Sequence, residues 1–107
     1  MTDFQRAAAA LAHEYGLYAP VMARYADLVS EVGELGKELL LGSNYGAKEL
    51  KITDNTIEEI GDVVFALSLL ANSLDLDLGE CFAVALEKYK QRFAGHRSIE
   101  NRRRYGK

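Results

Sequence analysis

Val21, Tyr25, Leu28, Val32, Leu35 and Leu39 follow one another at intervals of four and three residues. That spacing keeps side chains on one stripe of an α-helix. Ile57, Ile60, Val64, Leu67, Leu70 and Leu74 repeat the pattern, and Phe82, Leu86, Tyr89 and Phe93 do so again. No useful window alternates apolar and polar positions with a period of two, so strands are not expected.

The helix punctuation agrees with the stripes. Thr2-x-x-Gln5 reads as a capping box ahead of FQRAAAALAHEY, and Gly16 reads as its stop. Pro20 suits the first turn of a second helix that runs to about Leu41 and ends at Gly42. A third is expected from Asp54–Thr56 to about Ser73. Asp77-x-x-Glu80, a second capping box with Leu76 and Cys81 placed for a hydrophobic staple, opens a fourth that ends at Gly95. Val63 to Ala71 is apolar almost all round, which predicts the central helix, and the fourth helix should turn Phe82, Leu86, Tyr89 and Phe93 inward. The architecture expected is an all-α bundle of four helices in residues 1–95, followed by a basic tail over residues 96–107. The polar, turn-rich stretch GSNYGAKELKITDN is a long connection, of the kind that often serves a site.

Composition narrows the class. The chain has 107 residues, 49% hydrophobic and 27% charged, with one proline, which fits a single ordered domain with a modest core. No apolar run approaches a membrane span, and no secretory leader opens the chain. Cys81 is the single cysteine. It reads as a structural thiol in a reducing compartment, and the expectation is a cytoplasmic protein without membrane partners. The overall charge of −3 is unevenly spread: HRSIENRRRYGK sets five basic side chains against Glu100 for +4, leaving −7 on residues 1–95. An acidic body argues against a nucleic-acid partner, and the tail reads as a solvated end.

The acids carry the candidate chemistry. Glu31, Glu34 and Glu38 form one row beside the Leu28–Leu39 seam, and Glu59 and Asp62 form a pair at i, i+3 beside the next seam. Packing the two seams would bring the rows together at the rim of the core. Opposed carboxylates there could grip a hard divalent cation, Mg²⁺ before others. The competing reading is a solvated charged face, in which Lys37 partners Glu34 and Glu59 is merely the N3 residue of a Thr56-x-x-Glu59 cap. A helix that starts at Asp54 would free Glu59. Gly33, Gly36 and Gly61 lie among these acids and leave room for either a ligand or a neighbouring helix. A carboxylate-bridged di-iron site would need Glu-x-x-His, which neither His13 nor His96 completes. Zinc lacks a cysteine–histidine cluster, and DLDLGE fails as a calcium loop because its twelfth position is Leu86.

Glu31-x-x-Glu34, then Glu59-x-x-Asp62 in EEIGD, then EKYKQRF resemble the MazG-like all-α nucleoside triphosphate pyrophosphohydrolases over about residues 20–95. The resemblance implies Mg²⁺, with Mn²⁺ as a substitute, held by Glu31, Glu34, Glu59 and Asp62. It implies hydrolysis of NTP or dNTP to NMP and pyrophosphate, with nucleotide-pool house-cleaning as a role. By the same motif, Lys88 and Arg92 would contact the phosphates. Asn72 is a candidate for sugar or base, and Glu38 for the proton acceptor from water. Family members commonly place a second glutamate where Ser30 stands, so any role of that acid is in doubt. One subunit offers few walls for a nucleotide, and a homodimer or homotetramer burying Tyr15, Tyr18 or Tyr25 is expected. The alternatives are a phosphoribosyl-ATP pyrophosphohydrolase and a helical interaction protein with no enzymatic activity.

Overall fold

Helix starts and stops follow local hydrogen bonding. A computed structural model describes residues 1–95, so the basic tail expected over residues 96–107 lies outside the described residues. Four helices succeed one another: α1 (Asp3–Tyr15), α2 (Val21–Gly42), α3 (Asp54–Ser73) and α4 (Leu78–Gly95). No strand occurs among the described residues. Thr2 and Gln5 close the predicted capping box on α1, and Gly16 ends that helix with a left-handed φ of 63°. Pro20 stands at the N-cap of α2 without a side-chain bond. At α3 the reciprocal box is made by Thr53 and Thr56, so the helix begins at Asp54, the earlier of the two starts the sequence allowed. At α4, Asp77 Oδ1 accepts from the Gly79 N–H at 3.1 Å, while Asp77 also lies 3.5 Å from the Met1 amino group.

α3 is the hub, packed along α2 on one side and α1 on another. Small side chains let these helices approach. The fully buried apolar residues are Ala8, Ala66, Leu69 and Ala71, and the buried polar ones are Gln5, Thr56 and Ser68. The Ser68 hydroxyl is satisfied by donating 2.7 Å to the Val64 carbonyl one turn back. Leu28, Leu35 and Leu39 of α2 are half-buried, which sets the acidic row one position away at the edge of the core.

Three expectations need correction. The predicted α3 stripe is largely open: Ile57, Ile60 and Leu74 are exposed while Ala66, Leu69 and Ala71 are covered. A helix apolar all round does not announce which face its neighbours will take. Phe82, Leu86, Tyr89 and Phe93 do not turn inward; Phe82 is 67% exposed, and α4 makes only marginal contact with α1, α2 or α3. Cys81, at the start of the same helix, is likewise exposed. The cause is the connector from α3, which is pinned by a buried glutamine. Gln5 Nε2 donates to the Leu76 carbonyl at 2.8 Å and to Asn72 Oδ1 at 3.0 Å, and Gln5 Oε1 accepts from the Leu78 N–H at 2.9 Å. Asn72 Nδ2 returns a bond to the Gln5 carbonyl at 3.1 Å. With Asp75 in the left-handed region at φ 55°, this clamp aims α4 away from the rest of the chain.

Candidate functional site

Two helices supply the acids. α2 presents Glu31, Glu34 and Glu38 on one face; α3 presents Glu59 in its second turn and Asp62 one turn later. Because the α3 cap belongs to Thr53 and Thr56, Glu59 has no capping duty. One carboxylate oxygen from each of Glu31, Glu59 and Asp62 lies within 4.8 Å of the other two. Glu31 and Glu59 are half-buried, and Asp62 opens to solvent.

Among the described residues, no lysine or arginine forms a salt bridge with Glu31, Glu34, Glu38, Glu59 or Asp62. The Lys37–Glu34 pairing weighed from the sequence does not form. Partial burial pushes the Glu31 carboxyl above the ordinary glutamate range, and the charges of Asp62, Asp27 and Glu34 push it further. Glu59 is raised in the same way, by partial burial first and then by Asp62, Glu34, Glu31 and Glu38. Both effects disfavour the charged form, and a bound cation would reverse them.

The donor set suits a small hard ion. Oxygens on opposite sides of Mg²⁺ stand about 4.2 Å apart, given metal–oxygen distances of roughly 2.1 Å. Three oxygens on one octahedral ion include at least two adjacent pairs about 3.0 Å apart, so the trio would draw together on binding one. Glu34 lies outside it and is exposed, although close enough to act on both raised glutamates. Glu38 is half-buried, and its Oε1 accepts from Thr53 Oγ1 at a long 3.5 Å. That contact ties the acidic row to the start of α3, and an N-cap threonine next to a glutamate row was its only signal in the sequence. The three helical glycines answer to nothing inside the chain: a methyl group on Gly33, Gly36 or Gly61 would meet no atom within 4 Å.

The remaining candidates stand apart from the trio. Asn72 is ten residues beyond Asp62, about 15 Å along α3 at 1.5 Å per residue. Both ends of its amide are engaged by Gln5, so in this arrangement it ties α1 to α3. Lys88 and Arg92 flank the Tyr89 ring on α4, with Lys88 Nζ 4.8 Å and the Arg92 guanidinium carbon 5.3 Å from its centre. Because α4 packs along neither α2 nor α3, a single chain does not bring this basic pair alongside the acids.

A four-helix chain with opposed carboxylates on its second and third helices has a counterpart among known domains. The MazG nucleotide pyrophosphohydrolase domain matches residues 21–95. YpjD, an uncharacterized protein of Bacillus subtilis (strain 168), is 41% identical over 80 residues, covering 72% of this chain and 69% of YpjD. No solved structure gives a match. The chain belongs to the MazG nucleotide pyrophosphohydrolase domain family.

Proposed function

We propose that the protein is a Mg²⁺-dependent nucleoside triphosphate pyrophosphohydrolase that cuts NTP or dNTP between the α and β phosphates, giving NMP and pyrophosphate. One observation carries the reading: three carboxylates from two helices converge within 4.8 Å with no lysine or arginine among the described residues paired to them. An acid cluster left in that state favours occupation by a divalent ion.

Glu31, Glu59 and Asp62 would hold the ion, and Glu34 would complete the set by a change of rotamer. Mg²⁺ there, or Mn²⁺ in its place, supplies neutralisation of phosphate charge and acidification of water. The oxygen of water adds to the α-phosphorus, the bond to the bridging oxygen breaks, and pyrophosphate leaves with that oxygen's electron pair. Glu38, half-buried one turn beyond Glu34, would accept the water's proton. Lys88 and Arg92 supply charge-assisted bonds to the phosphate oxygens. The working form is a homodimer or homotetramer, since Tyr15, Tyr18 and Tyr25 stand exposed and so much apolar surface is uncovered. No helix among the described residues is long and apolar enough to cross a membrane. We place the activity in the cytoplasm, in house-cleaning of the nucleotide pool.

Pyrophosphate release from a panel of NTPs, dNTPs and phosphoribosyl-ATP, with and without Mg²⁺, tests the proposal. Mg²⁺-dependent release from a nucleoside triphosphate is the expected result. Preference for phosphoribosyl-ATP would reassign the substrate, and silence on every compound would leave a non-enzymatic helical protein.

A further inference from the structure

A cavity of about 280 Å³ lies between the end of α1, the α1–α2 connector, the first turn of α2 and the last turns of α3. It stands roughly 10 to 17 Å along α3 from Asp62, at 1.5 Å per residue. Local hydrogen bonding builds it. Gly16 ends α1 in the left-handed region, and the Leu17 N–H returns to the Ala12 carbonyl at 2.9 Å, which folds the connector back over the helix end. The Leu17 carbonyl then accepts a bond from the Arg24 guanidinium of α2. Leu17 and Leu69 give the cavity apolar walls, while His13, Tyr18 and Arg24 bring polar groups to it. Asn72 and Ser73 also line it, but the Asn72 amide is held by Gln5 and the Ser73 hydroxyl donates to the Leu69 carbonyl at 2.9 Å.

Arg24 is the unfinished part of this arrangement. Among the described residues it forms no ion pair, although Asp27 stands three positions further along the same helix. Its Nε–H is closed to solvent and has no hydrogen-bond partner. Shielded donors without partners are rare in folded chains, and those on charged groups are the most costly. The surroundings favour an anion as the missing partner. No aspartate or glutamate lines the cavity, in a body that is otherwise acidic. α2 opens without a side-chain cap and with no acid in its first turn, so no side chain there offsets the positive end of its dipole. The negative end of α3 is muted. Its Leu70, Ala71 and Asn72 carbonyls already accept from the N–H groups of Leu74, Leu76 and Asp75. A modest turn of the guanidinium would offer Nε–H and a second N–H to one ligand, the two-pronged grip that suits phosphate oxygens.

We propose that this cavity binds a phosphate group, free or carried on a small organic molecule, with Arg24 as its main contact and His13 and Tyr18 as further donors. The apolar walls would take the body of an organic phosphate. The site is distinct from the carboxylate trio and needs no metal, so it stands whatever reaction those acids perform. Its occupant would tie α1, α2 and α3 together at the end of the bundle where the acids do not reach, and would stabilise the folded chain by mass action.

Calorimetric titration and thermal melting of the full chain test this, in Mg²⁺-free buffer at fixed ionic strength. The probes are inorganic phosphate and phenyl phosphate, with chloride and acetate as controls. Saturable binding and a rise in Tm are expected with at least one phosphate and not with chloride. Arg24→Gln should weaken binding by about 10- to 100-fold, the worth of a charged hydrogen bond. His13→Gln leaves the bond to the Leu17 carbonyl in place and should weaken it by about two- to tenfold, which decides the matter if Arg24→Gln fails to fold. Asp62→Asn should bind as wild type does. Tighter binding of phenyl phosphate than of inorganic phosphate would support the site and identify an organic phosphate as the ligand; the reverse order would support it and identify the free ion. Absence of saturable binding overturns the proposal. So does acetate binding as tightly as phosphate, an affinity that His13→Gln and a folded Arg24→Gln both leave unchanged, or binding that is lost in Asp62→Asn.

Discussion

α3 carries a polar cluster near each end, and the two are opposites. Near its C-terminus, Gln5 and Asn72 are packed against each other and every polar atom of Gln5's side chain has a partner. Near its N-terminus, Glu31, Glu59 and Asp62 share a charge, crowd within 4.8 Å and find no cation among the described residues. Buried or half-buried polar groups are costly unless paired. The satisfied cluster therefore explains itself as structure, and the unsatisfied one calls for something from outside.

Asp62→Asn or Glu59→Gln breaks the contrast most sharply. Pyrophosphate release should fall on the order of 100-fold or more, since the loss of even an outer-shell partner of a metal typically costs 10–100-fold. The circular dichroism of the helices should be unchanged. Normal turnover in either variant would refute the assignment. Gln5→Ala attacks the opposite cluster. It leaves Asn72, the Leu76 carbonyl and the Leu78 N–H without their partner, and should cost about 2–4 kcal/mol. For a domain of this size that is a drop in Tm of roughly 10 °C or more, with Mg²⁺ affinity per folded chain retained.

Metal addition should separate the clusters again. With Mg²⁺ at 100 times its Kd, wild-type stability should rise by about 2.7 kcal/mol, and the thermal melt of Asp62→Asn should barely move. Acidity gives a smaller effect of defined sign. The folded chain holds protons on Glu31 and Glu59 more tightly than the unfolded chain does, so without metal these two groups add stability as the pH falls from neutral toward the ordinary glutamate range. That gain should flatten in Glu59→Gln. With Mg²⁺ present the slope should reverse, because protons compete with the ion. The smallest effect is expected at Gly33→Ala. Outside the helix's own adjoining backbone no atom lies within 4 Å of the new methyl group, so the helix should gain up to about 1 kcal/mol. Lower turnover alongside that gain would show that the gap is kept for a ligand or a second copy; unchanged turnover would show that it is not.

Much of this was legible from spacing alone. The four helices, the Thr2–Gln5 cap, the stop at Gly16 and the acidic rows on neighbouring helices all follow from periods of three and four with their punctuation. The role of Gln5 beyond its cap was not legible, because its decisive partners lie 67 to 73 residues away and ordinary side-chain pattern carries no trace of them. α4 was misread for a related reason. An amphipathic stripe states that a helix will cover apolar surface, and says nothing about whose. Glu34 matched the motif yet stands outside the trio, since rotation about one helix is fixed by sequence spacing while reach across two depends on side-chain rotamers.

The matched family segment begins at Val21, whereas the side chain that aims α4 sits at position 5. A fragment trimmed to the segment shared with relatives would keep every carboxylate and lose the pivot that steers its final helix. Such a truncation would leave the Leu76 carbonyl and the Leu78 N–H without the bonds that set the direction of α4, and would not alter a single acid.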